Sequence, residues 1–299
     1  MKADSQLARK IESGEFIVTA EHAPRTTATL STTETSLKAL GGKLTAVNMG
    51  DNAHGVAMSS LAASAAALKL GVEPVLQMVT RDRNRIALQS DLLGAAGLGV
   101  RNVLCLSGYH QTLIGCPQSA NVFDIDSTQF IQMTTRMSEE GVLADGMKID
   151  GQFSMLVGAV ANPFLKPLEL NVLRLARKIE AGAKFIQTHA VFDINAFAVW
   201  LAAVRQEGLT KKAAILASVY PLESAAEAQK LRDTYAEFCI PDTIIERLKE
   251  AGDDSRKEGL AICLEIIKQL RTLDGVRGIH VLSGGKEAAV PGILGGAGL

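Results

Sequence analysis

The chain has 299 residues, 47% of them hydrophobic and 21% charged, which is enough apolar sequence for a full core and too much for a disordered chain. Lys and Arg number 31 against 32 Asp and Glu, a formal net charge of −1, so there is no electrostatic case for nucleic acid or an anionic membrane as partner. Nine Phe, three Tyr and one Trp are too few for a base-stacking surface.

The N-terminal stretch MKADSQLARKIESGEF lacks the apolar segment of a signal peptide, and none is expected. No apolar run reaches the length of a membrane span, since LAASAAALKL is interrupted by Lys69. Cys105, Cys116, Cys239 and Cys263 form no C-x-x-C pair. That spacing argues against a disulfide scaffold or structural zinc and points to a reducing, cytoplasmic setting.

Short runs rich in β-branched residues predict strands at 16–21 (FIVTAE), 44–50 (LTAVNMG), 73–79 (EPVLQMV), 102–108 (NVLCLSG), 153–160 (FSMLVGAV), 185–191 (FIQTHAV), 213–221 (AAILASVYP) and 278–284 (GIHVLSG). Their starts are 28, 29, 29, 51, 32, 28 and 65 residues apart. A strand–helix unit takes roughly 30 residues, so five gaps hold one unit each and two hold insertions. Helices are predicted at 59–70, 86–98, 168–180 and 260–270. In the third, Leu168, Val172, Leu175, Ala176 and Ile179 share one face. Gly41, Gly71, Gly99, Gly141, Gly182 and Gly208 follow helical runs, where a left-handed cap is wanted.

Strands that are apolar nearly throughout, each followed by a helix, predict a parallel sheet covered by helices. Eight of them close a (β/α)₈ TIM barrel, here a single α/β domain over residues 1–299. The alternative is an open doubly-wound sheet, but no glycine-rich fingerprint follows a strand and opens a helix: GAAGLG and GGAGL are both misplaced.

In a barrel, chemistry sits at the C-terminal strand ends. Glu21 ends the first strand. An acid at an apolar mouth has its pKa raised and can serve as a general acid; the alternative is a carboxylate paired with Arg25. TRDRNR (80–85) opens a helix after the third strand. It reads as a phosphate site at a helix N-terminus or as a charged cap paired to Asp82. His110 and Cys116 lie in a long loop reaching to about residue 126 and are too few for a metal site, so none is expected. His189 ends the sixth strand and either points into the mouth or is a bonded core residue. His280 reads as packing, His22 and His54 as loop residues, and Trp200 as core. The rule also marks Asn48 with Asp51, Gln77, Thr80, Arg81, Asn162, Asp193, Tyr220 and Ser283.

The segments VTAE, EPVLQMVTRDRNRIALQSDLLGAAGLGVRNVLCLSG, ANPF (161–164), RLARKIEAGAKFIQTHAVFD, IPDTIIERL (240–248) and GVRGIHVLSGGKEAAVP together resemble the methylenetetrahydrofolate reductase family. The likeness is to its short bacterial, acetogen-type form, over nearly the whole chain. The resemblance implies a TIM barrel that binds FAD and reduces 5,10-methylenetetrahydrofolate to 5-methyltetrahydrofolate, or runs the reverse, with NAD(P)H as electron source. On that basis Glu21 is the acid that opens the folate's imidazolidine ring to an iminium. Gln77, Thr80, Arg81, Asp82, Arg83, Gly108, His110, Asn162 and Lys178 are expected against the cofactor. Asn48, His189, Phe192 and Tyr220 are expected against the folate.

Three positions depart from the family pattern. Ser107-Gly108-Tyr109 replaces T-G-D, so Tyr109 occupies the place of a catalytic aspartate. Thr188-His189 replaces T-Q, and Ala23-Pro24 replaces a double proline. A free imidazole titrates at about 6.5, so His189 is expected to make activity depend on pH between about 5 and 8. The departures keep two other functions open: a paralogous barrel that binds a folate or C1 carrier and transfers methyl without hydride, and a non-catalytic subunit of a C1-pathway complex. A homo-oligomer or a partner subunit is compatible with either.

Overall fold

Residues buried on both faces need a sheet that is covered outside and packed inside, and this is how the apolar runs are used. The strands are β1 (Ile17–His22), β2 (Ala46–Met49), β3 (Pro74–Val79), β4 (Asn102–Leu106), β5 (Leu156–Ala161), β6 (Phe185–Ala190), β7 (Ala214–Val219) and β8 (Val276–Val281). They pair in chain order, all parallel, and β8 closes on β1 with His280 opposite Thr19. The sheet is a closed barrel, not an open one. The computed structural model describes residues 4–235 and 237–299, and none of the described helices is long and apolar enough to cross a membrane.

The helices are α1 (Gln6–Ser13), α2 (Leu30–Ala39), α3 (Ser60–Lys69), α4 (Arg85–Leu98), α5 (Ser127–Glu140), α6 (Leu168–Glu180), α7 (Ile194–Gln206), α8 (Ala225–Thr234), α9 (Asp242–Glu250), α10 (Ser255–Leu270) and α11 (Val290–Gly296). The six glycines expected as caps all have φ between 68° and 121°. The 51-residue gap holds a long loop, α5 and a small antiparallel bridge between Val142 and Lys148. The 65-residue gap holds α8 and α9 ahead of α10. Several strands are shorter than predicted. Phe153–Met155 are buried but precede β5, because the Met155 amide donates to the Ser138 hydroxyl at 3.1 Å instead of to a neighbouring strand.

Side chains alternate along each strand, so every second residue faces the barrel axis. The N-terminal end is apolar. Leu7 of α1 enters it and packs with Ile17, Val75, Leu104, Leu156, Phe185 and Leu216. Gly158 makes room for Phe185: a Cβ there would lie 2.2 Å from the ring. The Glu73 carboxylate holds α1 in place, accepting from the Gln6 and Leu7 amides at 2.5 and 2.9 Å.

Candidate active site at the barrel mouth

Toward the C-terminal end the inward positions become polar. Thr19, Asn48, Gln187 and His280 form a buried layer. Asn48 and Gln187 exchange amide hydrogen bonds of 2.7 and 3.0 Å. The Thr19 hydroxyl lies 2.8 Å from His280 Nδ1, and Gln187 Nε2 lies 3.2 Å from the same nitrogen. Burial pushes His280 down to about 3, so the imidazole is neutral. His280 is therefore a member of a polar network, not the packing residue expected. Asn48 is sealed in this layer and does not reach the cavity above it, whereas Gln187 and His280 do.

One step higher, Glu21 looks into the mouth. Its hydrogen-bond partner is Gln77, whose Nε2 donates at 3.5 Å, and not Arg25. Burial pushes the Glu21 carboxyl up to about 7, against the Gln77 bond and with help from the negative charge of Glu287. His22 is the last residue of β1 and not a loop residue. It faces outward and places Nδ1 2.8 Å from Glu287 Oε1. Burial alone would raise the Glu287 carboxyl, but hydrogen bonds from His22 and from backbone amides hold it below the usual range.

These residues open into a cavity of about 900 Å³, at the upper end of the range for small-molecule and cofactor sites. Aromatic rings build one wall, and all three tyrosines of the chain line it. Tyr109 lies against Tyr235, centroids 5.3 Å apart, and Tyr235 lies 6.1 Å from Phe238. Tyr220 meets Phe238 edge-on at 5.7 Å, donates its hydroxyl to Glu227 at 3.0 Å and carries Lys286 over its ring. Phe192 stands behind this wall, packed on Phe238, and does not line the cavity. His54 completes the rim with its Nδ1 3.2 Å from the Tyr235 hydroxyl.

A further part of the lining comes from α5 and α6. Asp126, Ser127 and Thr128 at the start of α5 line the cavity together with Arg174, Arg177 and Lys178 of α6. Lys178 donates to the Val160 carbonyl at 2.7 Å, and burial lowers its pKa. Asn162 lines the same side, its side-chain oxygen accepting from the Phe164 amide at 3.0 Å. His189 projects inward from β6. Burial, with a contribution from Lys178, pushes it down to about 4. It stays neutral between pH 5 and 8, which corrects the expectation of a titrating histidine.

The TRDRNR segment lies apart from the cavity. The loop after β4 folds back on it: the Val122 amide donates to the Arg81 carbonyl at 2.7 Å and the Phe123 amide to that of Thr80 at 3.1 Å. Arg81 is fully buried, forks onto Asp82 at 2.6 and 2.7 Å, and donates to the carbonyls of Asn52 and Tyr109. Arg83 pairs with Asp51 at 2.7 Å and Asp91 at 2.9 Å, and Arg85 with Asp124 at 2.8 Å. Thr80, Arg81, Asp82 and Arg83 thus hold the loops around the mouth. His110 is exposed and bonded to Thr112, and Asp193 caps α7. Gly108 does line the cavity. Its φ is +85°, and a Cβ would press on Val79 and Arg81 at 3.1–3.2 Å. Among the described residues no group of three His, Cys, Asp or Glu is arranged for a metal.

Sequence reasoning missed Gln187, His280, Tyr235, Phe238, Arg174 and Arg177 as members of the mouth. The strand period held a signal for the first, since inward His189 implies inward Gln187 two residues earlier. Tyr235 and Phe238 lie in an insertion whose path no local pattern reveals.

Comparison with known proteins gives a consistent picture. A probable methylenetetrahydrofolate reductase (NADPH) from Caenorhabditis elegans is 24% identical over 258 residues, 83% of this chain and 36% of that protein. Methylenetetrahydrofolate reductase 2 of Saccharomyces cerevisiae is 27% identical over 127 residues, 42% of this chain and 21% of that protein. The chain thus spans about a third or less of these relatives' length. Among solved structures, an uncharacterized Clostridium thermocellum protein that binds two copies of 5-methyl-5,6,7,8-tetrahydrofolic acid has the same fold. Its TM-score is 0.70 at 14% identity, covering 96% of this chain and 97% of that one. 2,3-Dimethylmalate lyase shares the barrel more loosely, at a TM-score of 0.51 and 15% identity. The family model for methylenetetrahydrofolate reductase matches residues 6–298, and the chain belongs to that family.

Proposed function

We propose that the chain catalyses flavin-dependent interconversion of 5,10-methylenetetrahydrofolate and 5-methyltetrahydrofolate. One observation carries the reading: a carboxylic acid, Glu21, stands at the floor of a large cavity with its pKa pushed up to about 7. A group poised near neutrality serves best as a general acid. The fold of the 5-methyltetrahydrofolate-binding Clostridium protein supports a folate as ligand.

The donor set fits FAD. The cationic side chains Arg174, Arg177 and Lys178 suit a diphosphate, and the apolar lining beside Gly108, Leu104 and Leu106 suits a flat ring. When bound there, a flavin would supply hydride transfer between a reduced nicotinamide and the folate. The chain's own residues do the remainder. Glu21 delivers a proton to the folate nitrogen as the ring opens and takes it back in reverse. Gln77 holds the carboxyl in place. His189, neutral, offers one donor and one acceptor to the substrate ring, and the aromatic wall keeps water from it. Glu21→Gln should lower folate turnover by roughly 10²–10⁴-fold while FAD uptake, read from the visible spectrum, is unchanged. Near-normal turnover would make Glu21 structural and remove the reading.

Tyr109 favours a second reading, a folate-binding barrel without hydride transfer, because a neutral phenol cannot stabilise a cationic iminium as an aspartate does. That reading requires a protein that stays colourless after incubation with FAD yet binds 5-methyltetrahydrofolate.

A further inference from the structure

Tyr109 is pinned at three points. Its carbonyl accepts from buried Arg81 at 3.2 Å. Its ring lies on Tyr235, centroids 5.3 Å apart and planes 38° apart. Its hydroxyl donates to Glu237 Oε1. Glu237 comes from the insertion between β7 and β8, is itself buried, and does not line the cavity, whereas Tyr109 does. Gly108 adds a fourth constraint, since its positive φ and the contacts a Cβ would make with Val79 and Arg81 fix where the chain leaves β4.

A phenol has one proton and two lone pairs. A proton committed to a carboxylate is not offered elsewhere, so the oxygen turns only lone pairs toward a ligand. We infer that Glu237 is a positioning residue that fixes Tyr109 as a hydrogen-bond acceptor, and that this oxygen selects ligands presenting an N–H donor. The inference rests on the folate reading above, since a pterin ring offers such a donor in its 2-amino group. Burial raises the Glu237 carboxyl, against a backbone hydrogen bond that lowers it.

The test compares two ring fragments that differ in this group: pterin, with an amino group at position 2, and lumazine, with a carbonyl there. Fluorescence titration should show wild type preferring pterin by roughly ten-fold, the worth of one hydrogen bond against an unpaired acceptor. Tyr109→Phe keeps the ring on Tyr235, removes the oxygen, and should abolish the preference. Glu237→Leu leaves the phenol free to turn its proton into the cavity, so the preference should fall or invert in favour of lumazine. A merely structural Glu237 would weaken both fragments equally. An unchanged pterin-to-lumazine ratio in both variants, or no preference in wild type, overturns the inference. If wild type binds 5-methyltetrahydrofolate but shows that result, the folate reading survives and only this inference fails. If it does not bind 5-methyltetrahydrofolate at all, both fail.

Discussion

The two ends of the barrel are built on the same alternation and filled with opposite chemistry. At the N-terminal end the inward residues are Ile17, Val75, Leu104, Leu156 and Phe185, closed by Leu7. Two residues further along the strands they are Thr19, Gln77 and Gln187, and then come Glu21 and His189. The lower layers stabilise by removing apolar surface from water. The upper layers hold titratable groups in a poorly hydrated place, where Glu21 is pushed up to about 7 and His189 down to about 4. Both shifts oppose the charged form, and both lower stability wherever the unfolded chain would be ionised. Stability is thus gained at the N-terminal end and given up at the mouth.

Glu21 should break the symmetry most. Besides the loss of turnover, Glu21→Gln should make the protein more stable at high pH. The native carboxyl keeps its proton up to about 7, while the unfolded one loses it near 4.5. The protonated state's advantage is therefore complete below about 4.5 and lost as pH rises through 7. Thermal melts should show equal stability at pH 4 and a gain for the variant of about 1–2 kcal/mol at pH 8, discounted for partial solvent contact. No gain at pH 8 would mean that the carboxyl is well solvated.

The opposite end should respond in the opposite currency. Leu7 is fully buried, so Leu7→Ala should destabilise by about 2–5 kcal/mol in urea denaturation. The affinity for 5-methyltetrahydrofolate should stay within about two-fold, because Leu7 does not itself line the cavity. A large loss of affinity in a folded variant would show that the two ends are coupled.

The smallest effect concerns His189. Since it is neutral across the working range, His189→Gln should leave the shape of the activity–pH profile between pH 5 and 8 unchanged, with Glu21 as the group that sets it. A folate affinity change of only a few-fold is expected, as one neutral hydrogen-bonding side chain replaces another. A profile that flattens in the variant would return the titration to His189.

Much of this could be read along the chain because the signals are local. The 28–29 residue spacing, the apolar runs and the glycine caps are properties of contiguous segments, and they announce a strand–helix repeat. Glu21 was legible for the same reason: it ends an apolar strand, and a closed barrel puts that end at the mouth. The uses of the charged loop residues were not legible. The pairing to Asp82 is one of two readings open for this segment, and Arg81 makes it, but Arg83 looks like a ligand for an anion until Asp51 and Asp91 are seen around it. Asp51 lies some thirty residues away in sequence and meets Arg83 only when β2 and β3 lie side by side.

By itself, the sequence determined the eight-fold repeat, the closed parallel barrel, and the end of it at which the polar cavity opens. Each follows from hydrophobic periodicity, which is a local property. The tertiary structure alone decided which side chains meet at or behind the mouth: Gln77 with Glu21, Lys178 with His189, and Tyr109 with Glu237. It also decided which are neutral there, because a pKa depends on the water removed and the charges brought near. Both are set by elements that are distant in the chain and adjacent only after folding.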